Sequence, residues 1–149
     1  MSDVQSTVAR TSGSRIGPAA IGGAVLAVLA LLHLFVVQLG GAIGVSLLLV
    51  GWPLVGGGVA AALPSREARP PRMSGLLAGA YAGFVVGLVV LLSGWAGLWS
   101  PFVATTFGVE FWPVVFAAWL VFLVSWAVFG FVAGYAVERF GTSSSPTAA

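Results

Sequence analysis

Four long apolar stretches alternate with short polar or glycine-rich segments along the chain. The stretches cover about residues 19–38, 42–63, 75–98 and 113–137. An α-helix needs about 20 consecutive apolar residues to cross the hydrocarbon core of a bilayer, and each stretch reaches that length. The pattern therefore predicts an all-α fold, an integral membrane bundle of four transmembrane helices.

The segments between the stretches indicate where the chain leaves the membrane. GGAIG at residues 40–44 permits a tight reversal. PSREARPPRMS at residues 64–74 is strongly polar, and its prolines predict an extended, non-helical loop. WSPFVATTFGVEFWP at residues 99–113 is rich in aromatic rings, which settle at headgroup depth. We therefore expect this last segment to lie on the membrane surface.

A polar lead-in at residues 1–15 and a Ser/Thr/Pro tail at residues 141–149 flank the four-helix transmembrane domain, which we place at residues 16–140. Both flanks bury too little apolar surface to fold and are expected to be disordered. The apolar run after Arg15 continues through LLHLFVVQLGG without an A-x-A cleavage signal. We interpret it as an uncleaved first span and not as a signal peptide.

The arginines predict the orientation of the bundle. Four spans place the lead-in, the 64–74 loop and the C-terminal end on one side of the membrane. Those segments hold every basic residue of the chain: Arg10, Arg15, Arg66, Arg69, Arg72 and Arg139. Cytoplasmic loops carry an excess of basic residues, so we expect a multi-pass protein of the cell membrane with both termini in the cytoplasm. Arg66, Arg69 and Arg72 could also hold anionic lipid headgroups, but a topological anchor is the favoured role.

Composition narrows the function classes. Only 7% of the residues are charged and 59% are hydrophobic, whereas soluble domains carry about 25% charged residues. Six arginines without a cluster are too few for a nucleic-acid surface. The chain has no cysteine, which excludes disulfides and thiolate metal sites. The expected partner is the lipid bilayer, with a homo-oligomer or a larger membrane complex left open.

Glycines recur at every fourth position in the third stretch, GLLAGAYAGFVVG, as Gly75, Gly79, Gly83 and Gly87. Helices in lipid associate through close backbone packing, which small residues allow. We call these four residues the glycine series and predict a helix contact there. Facing surfaces are available at Gly56 and Ala60 in the second stretch and at Gly130 and Gly134 in the fourth.

Two interpretations of the glycine series are open. It could form a glycine-zipper oligomer with a pore, or it could pack against another helix of the same bundle, which we favour. The small residues lie toward one end of the spans. We therefore expect the bundle to be tight at that end and thicker at the other. The aromatic side chains toward the other end are Trp95, Trp99, Phe102, Phe107, Phe111 and Trp112.

His33 is the ionisable side chain within a span, and such groups are functional candidates. A proton relay with Glu110 is conceivable, but a neutral histidine held by a carbonyl is the favoured interpretation. In the second stretch, Pro53 lacks an N–H and is expected to kink the helix or break it as a re-entrant segment. A packed neighbour would then have to satisfy the freed carbonyl group.

Catalytic patterns are lacking in the sequence. No Ser/His/Asp set, paired carboxylates or HExxH motif is present, so we expect no enzyme, no cofactor and no metal. The predicted function is a small multi-pass membrane protein of structural or accessory type that associates through glycine-rich helix faces. A small oligomeric pore of the holin or channel type is the alternative, followed by a proton or small-solute transporter that uses His33.

WPLVGGGVAAAL, followed by a charged turn and MSGLLAGAYAGFVVG, resembles a group of small membrane proteins from halophilic archaea. This group is known as a domain of unknown function. The resemblance covers about residues 45–92 and implies a four-helix membrane fold with no functional residues to carry over.

Overall fold

The computed structural model describes residues 17–64, 69–95 and 112–141. Within these ranges the chain forms four long helices: α1 at Pro18–Val37, α2 at Gly41–Ala62, α3 at Pro71–Trp95 and α4 at Trp112–Gly141. Each helix is long and apolar enough to cross a membrane. This confirms the predicted all-α bundle of four membrane-spanning helices.

The third helix begins earlier than the sequence predicts. Helix α3 starts at Pro71 and not at Gly75, so the expectation of an extended loop through residue 74 is wrong for its last four residues. Pro71 is the first helical residue, a position where its missing N–H has no intrahelical partner to lose and its fixed φ suits the helix. Met73 N–H donates to Pro70 O at 2.9 Å and closes the first turn.

Helix α4 also extends beyond its predicted end at residue 137 and continues to Gly141. Glu138 and Arg139 therefore lie on its last turn. Gly141 belongs to the helix and not to the tail, and the remaining tail residues, 142–149, lie outside the described residues.

The α1–α2 reversal includes the first glycine of the GGAIG motif but lies mostly before it. It occupies residues 38–40, where Gln38 adopts a left-handed φ of 50°, and Gly41 follows with a φ of +69°. Helix α1 enters this turn through a π-helical segment, His33–Val37, and Gln38 N–H donates to His33 O at 2.8 Å. A positive φ at Gly41 favours glycine because it has no Cβ.

The four helices occupy the corners of a square, and one diagonal pair, α2 and α3, is in contact. Helix α1 packs against α2 and α3, and α4 packs against the same two helices. Helices α2 and α3 also contact each other, so α1 and α4 occupy opposite corners. The core between them contains Leu26, Ala27, Ala30, Leu34, Leu48, Ala82, Val86 and Trp126.

Candidate functional site

The glycine series lies buried against α4 of the same chain. A Cβ atom at Gly75 would overlap the carbonyl oxygen of Gly130, and one at Gly79 would overlap that of Trp126. A Cβ at Gly83 would lie 3.0 Å from Leu123 Cα. Since backbone atoms cannot move aside as a side chain can, these positions require glycine for α3 and α4 to approach. The sequence left the contacted helix open, and the structure places α4 there.

Glycines from three helices meet next to this contact. A Cβ at Gly57 of α2 would lie 2.6 Å from Gly130 Cα, which also lies against Gly75. Further along α4, a Cβ at Gly134 would lie 2.6 Å from Arg72 Cα at the beginning of α3. Small residues thus bring α2, α3 and α4 into backbone contact at one end of the bundle.

Helix α1 takes part in the same packing, which the sequence reasoning missed. A Cβ at Gly22 would lie 2.5 Å from Ala60 Cβ, and one at Gly56 would lie 2.5 Å from Leu26 Cβ. A Cβ at Gly23 would lie 3.1 Å from Ala78 O of α3. The adjacent pair Gly22 and Gly23 inside an apolar stretch was the available signal.

Helix α2 remains continuous at Pro53 but contains a π-helical segment, Leu47–Gly51, directly before it. Trp52 N–H donates to Leu47 O, five residues earlier. Residue 53 has no N–H, so neither an α-helical bond to Leu49 O nor a π-helical bond to Leu48 O can come from it. Two successive carbonyl groups are therefore left without that donor.

Two neighbouring side chains of α4 supply donors to these carbonyl groups. Ser125 Oγ donates to Leu49 O at 3.1 Å, and Trp126 Nε1 donates to Leu48 O at 2.7 Å. A buried carbonyl without a partner costs about 1–3 kcal/mol, so this pair compensates for the proline. The sequence predicted that a packed neighbour was needed, but it did not identify Ser125 or Trp126.

His33 is buried at the other end of the bundle, with 2% of its surface exposed. Its Nε2 lies 3.0 Å from Leu39 O in the α1–α2 turn, and Trp52 Nε1 donates to its Nδ1 at 3.3 Å. Gly44 permits this arrangement, because a Cβ there would lie 3.3 Å from His33 Nε2 and would overlap Leu39 O. His33 thus links the end of α1, the turn and the middle of α2.

An apolar cavity of about 60 Å³ lies between the four helices at this same end. Its walls include Leu34, Leu48, Val86, Trp119 and Trp126. Trp119 Nε1 donates to Gly83 O at 3.0 Å, and Trp126 Nε1 donates to Leu48 O. Because both indole N–H groups are engaged with carbonyl groups, their rings offer apolar surface to the cavity.

Charged side chains lie at the opposite end, where α3 begins and α4 ends. Arg72 Nε lies 3.9 Å from Glu138 Oε2, and both side chains are partly exposed. Arg69 and Arg139, which are close to Arg72 and Glu138 in the sequence, are exposed. Arg66 and Glu110, which the sequence singled out as a topology determinant and a relay partner, lie outside the described residues.

No cluster of three or more metal-ligating side chains occurs among the described ranges 17–64, 69–95 and 112–141. The resemblance to the archaeal group is not tested by comparison with known proteins and stays a prediction. No protein-family model, no curated protein and no solved structure matches this chain.

Proposed function

We propose that the chain is a small multi-pass membrane protein of structural or accessory type, held together by its glycine-rich helix faces. The observation that carries the proposal is the backbone contact between α3 and α4 along Gly75, Gly79 and Gly83. Contact of this kind favours one closed packing of the helices, because a side chain added at any of these glycines would displace a neighbouring backbone.

The in-span polar groups support this proposal over a pore. A water-filled path needs polar side chains that face it. Ser93 Oγ donates to Val90 O at 2.8 Å within its own helix, and Ser125 Oγ donates to Leu49 O. These hydroxyl groups serve the backbone, and the cavity beside them is lined by apolar side chains. The glycine series itself is covered by α4, which leaves it unavailable as an oligomer interface.

A flux assay separates these two functions. Purified protein in liposomes should release no entrapped dye and carry no single-channel current across several lipid compositions. Reproducible conductance that scales with the amount of protein would overturn the structural role in favour of the pore. Protein denatured before reconstitution serves as the control for leakage caused by damaged protein.

An accessory role also predicts a partner that requires the folded bundle. Affinity capture from membranes should recover this partner with the unaltered chain and with Gly58→Leu, which changes a glycine that has no atom within 4 Å of an added Cβ. The same partner should be lost with Gly57→Leu, whose Cβ would meet Gly130. Recovery of no partner, or of the same proteins with both variants, would contradict the accessory role.

We further propose a location in the cell membrane with both termini and residues 64–74 in the cytoplasm, since all basic residues lie in those segments. The chain has no cysteine, so single introduced thiols report the side without background. An impermeant maleimide added to intact cells should label Gly40→Cys and spare Pro64→Cys. The reverse labelling would invert the proposed orientation.

A further inference from the structure

Two hydrogen bonds of His33 constrain which nitrogen of the ring carries its proton. An indole N–H can only donate and a backbone carbonyl can only accept. Trp52 Nε1–H therefore requires a lone pair on His33 Nδ1, and Leu39 O requires a proton on Nε2. Both bonds exist together only when the imidazole is neutral and protonated at Nε2.

The same bonds connect the two irregular segments of the bundle. His33 is the first residue of the π-helical segment His33–Val37. Trp52 follows the segment Leu47–Gly51 and donates its backbone N–H to Leu47 O. Isolated π turns occur frequently at functional sites, and an ionisable group within a span is a functional candidate.

We propose that His33 is a proton-binding site that holds α1 to α2 when neutral and releases Trp52 when protonated. A proton added at Nδ1 turns this acceptor into a donor, which faces the donor Trp52 Nε1–H at 3.3 Å. That hydrogen bond is lost. The bond from Nε2–H to Leu39 O persists and becomes charge-assisted. Proton binding thus removes the hydrogen bond between His33 and Trp52 and keeps the hydrogen bond to the turn.

The other titratable side chains of the described helices lie away from this ring. Tyr81 of α3 packs beside Gly23, ten residues before His33 on α1, which corresponds to about 15 Å of helix. Tyr135, Glu138 and Arg139 lie on the last two turns of α4, and Gly134 there contacts Arg72 at the beginning of α3. Helix α2 contributes the Trp52 indole, the Gly44 backbone and no titratable side chain among residues 41–62.

The turn beside the ring lies at the surface of the described helices. Gln38, Leu39 and Gly40 are exposed, and Leu39 carries the carbonyl group that accepts from Nε2. The imidazole thus contacts the backbone of an exposed turn through its Nε2. Proton exchange at this site would take place at the turn end of the bundle.

Nuclear magnetic resonance of the full chain in lipid nanodiscs tests this site directly. The chain contains one histidine, so ¹⁵N-labelled imidazole gives a single ring system, titrated between pH about 5 and 8, the range in which histidine changes charge. We expect the neutral Nε2–H form at the upper limit. As the ring becomes protonated, the indole N–H signal of Trp52 should shift with the same midpoint.

Two variants serve as controls for this titration. Trp52→Phe identifies the Trp52 indole signal by its loss, and the Trp126 indole, bonded to Leu48 O, should not shift with pH. His33→Gln retains a donor for Leu39 O and should abolish the pH dependence of the Trp52 signal. The proposal is overturned if His33 stays neutral across the range, if its neutral form carries the proton on Nδ1, or if Trp52 does not respond to its protonation.

Discussion

The two ends of the bundle are packed in opposite ways. At the glycine end, which we define by Gly57, Gly75, Gly130 and Gly134, backbones of three helices touch and side chains contribute little. At the aromatic end, defined by Trp52, Trp119, Phe122 and Trp126, rings lie between the helices, and three of them line a half-open apolar cavity. The aromatic end also contains both π-helical segments and the buried histidine.

This difference shows how packing depends on side-chain size when water is absent. In lipid no hydrophobic force drives helices together, so association depends on close contact and on hydrogen bonds. Glycine at one end removes the side chains and provides contact between backbones. At the other end large rings leave gaps, and indole, imidazole and hydroxyl groups hold the helices by hydrogen bonds to carbonyl oxygens.

The strongest way to break the comparison is to remove the close contact at the glycine end. Gly57→Leu places a side chain against Gly130 and should lower the free energy of unfolding by about 3 kcal/mol, the upper range for overpacking. Gly58→Leu changes the adjacent glycine, where an added Cβ meets no atom within 4 Å. It should change stability by less than about 0.5 kcal/mol.

Unfolding of both variants in the same mixed micelles measures this difference. Equal losses in the two variants would mean that glycine acts through local helix flexibility and not through contact between helices.

At the aromatic end, the largest expected effect concerns the carbonyl of Leu49. Ser125→Ala should cost about 1–2 kcal/mol because a buried acceptor loses its donor. In a Pro53→Ala background the new N–H at residue 53 can serve Leu49 O, so the same substitution should cost about 1 kcal/mol less. A double-mutant cycle of unfolding free energies measures this coupling.

Ser93→Ala is the matched control for that cycle. Ser93 Oγ donates to Val90 O, which still has the amide of residue 94 as a helical donor. Its replacement should leave stability nearly unchanged. If Ser93→Ala cost as much as Ser125→Ala, or if Ser125→Ala and Pro53→Ala showed no coupling, the hydrogen bond of Ser125 would not compensate for the proline.

The smallest expected effect sharpens the claim that the aromatic end is incompletely packed. Val86 lines the cavity, so Val86→Ile should fill part of it and raise stability by about 0.5 kcal/mol, the lower range for cavity filling. Val85 is exposed, and Val85→Ile should have no effect. The thermal unfolding midpoints of the two variants measure this difference. A lower midpoint for Val86→Ile would indicate that the cavity has no room for the added methyl group.

The number and approximate bounds of the helices followed from the sequence because hydropathy and length suffice when lipid is the solvent. The errors fell at helix ends. Pro71 was placed in a loop although proline suits the first helical turn, and α4 was ended before Glu138. Ends depend on capping and on contacts such as Gly134 with Arg72, which bring together residues that are distant in sequence.

Within the candidate site, the sequence singled out Gly75, Gly79, Gly83, Gly87 and His33 by their residue type and spacing. It also stated that the carbonyl freed by Pro53 needed a partner. It could not name Ser125 and Trp126 as the donors, since they lie more than 70 residues away in the chain. Nor could it anticipate that Trp52 donates to His33, because the turn that brings them together is set by the packing of α1 on α2.

The sequence by itself determined that this chain forms four apolar helices, because the backbone must satisfy its own hydrogen bonds in lipid. It also determined where those helices can approach, because only small residues permit contact between backbones. The tertiary structure decided which helix covers the glycine series and which side chains serve the carbonyl groups of α2. It also decided that the ring of His33 lies between Trp52 Nε1 and Leu39 O. Those outcomes depend on the relative positions of helices, which local periodicity does not encode.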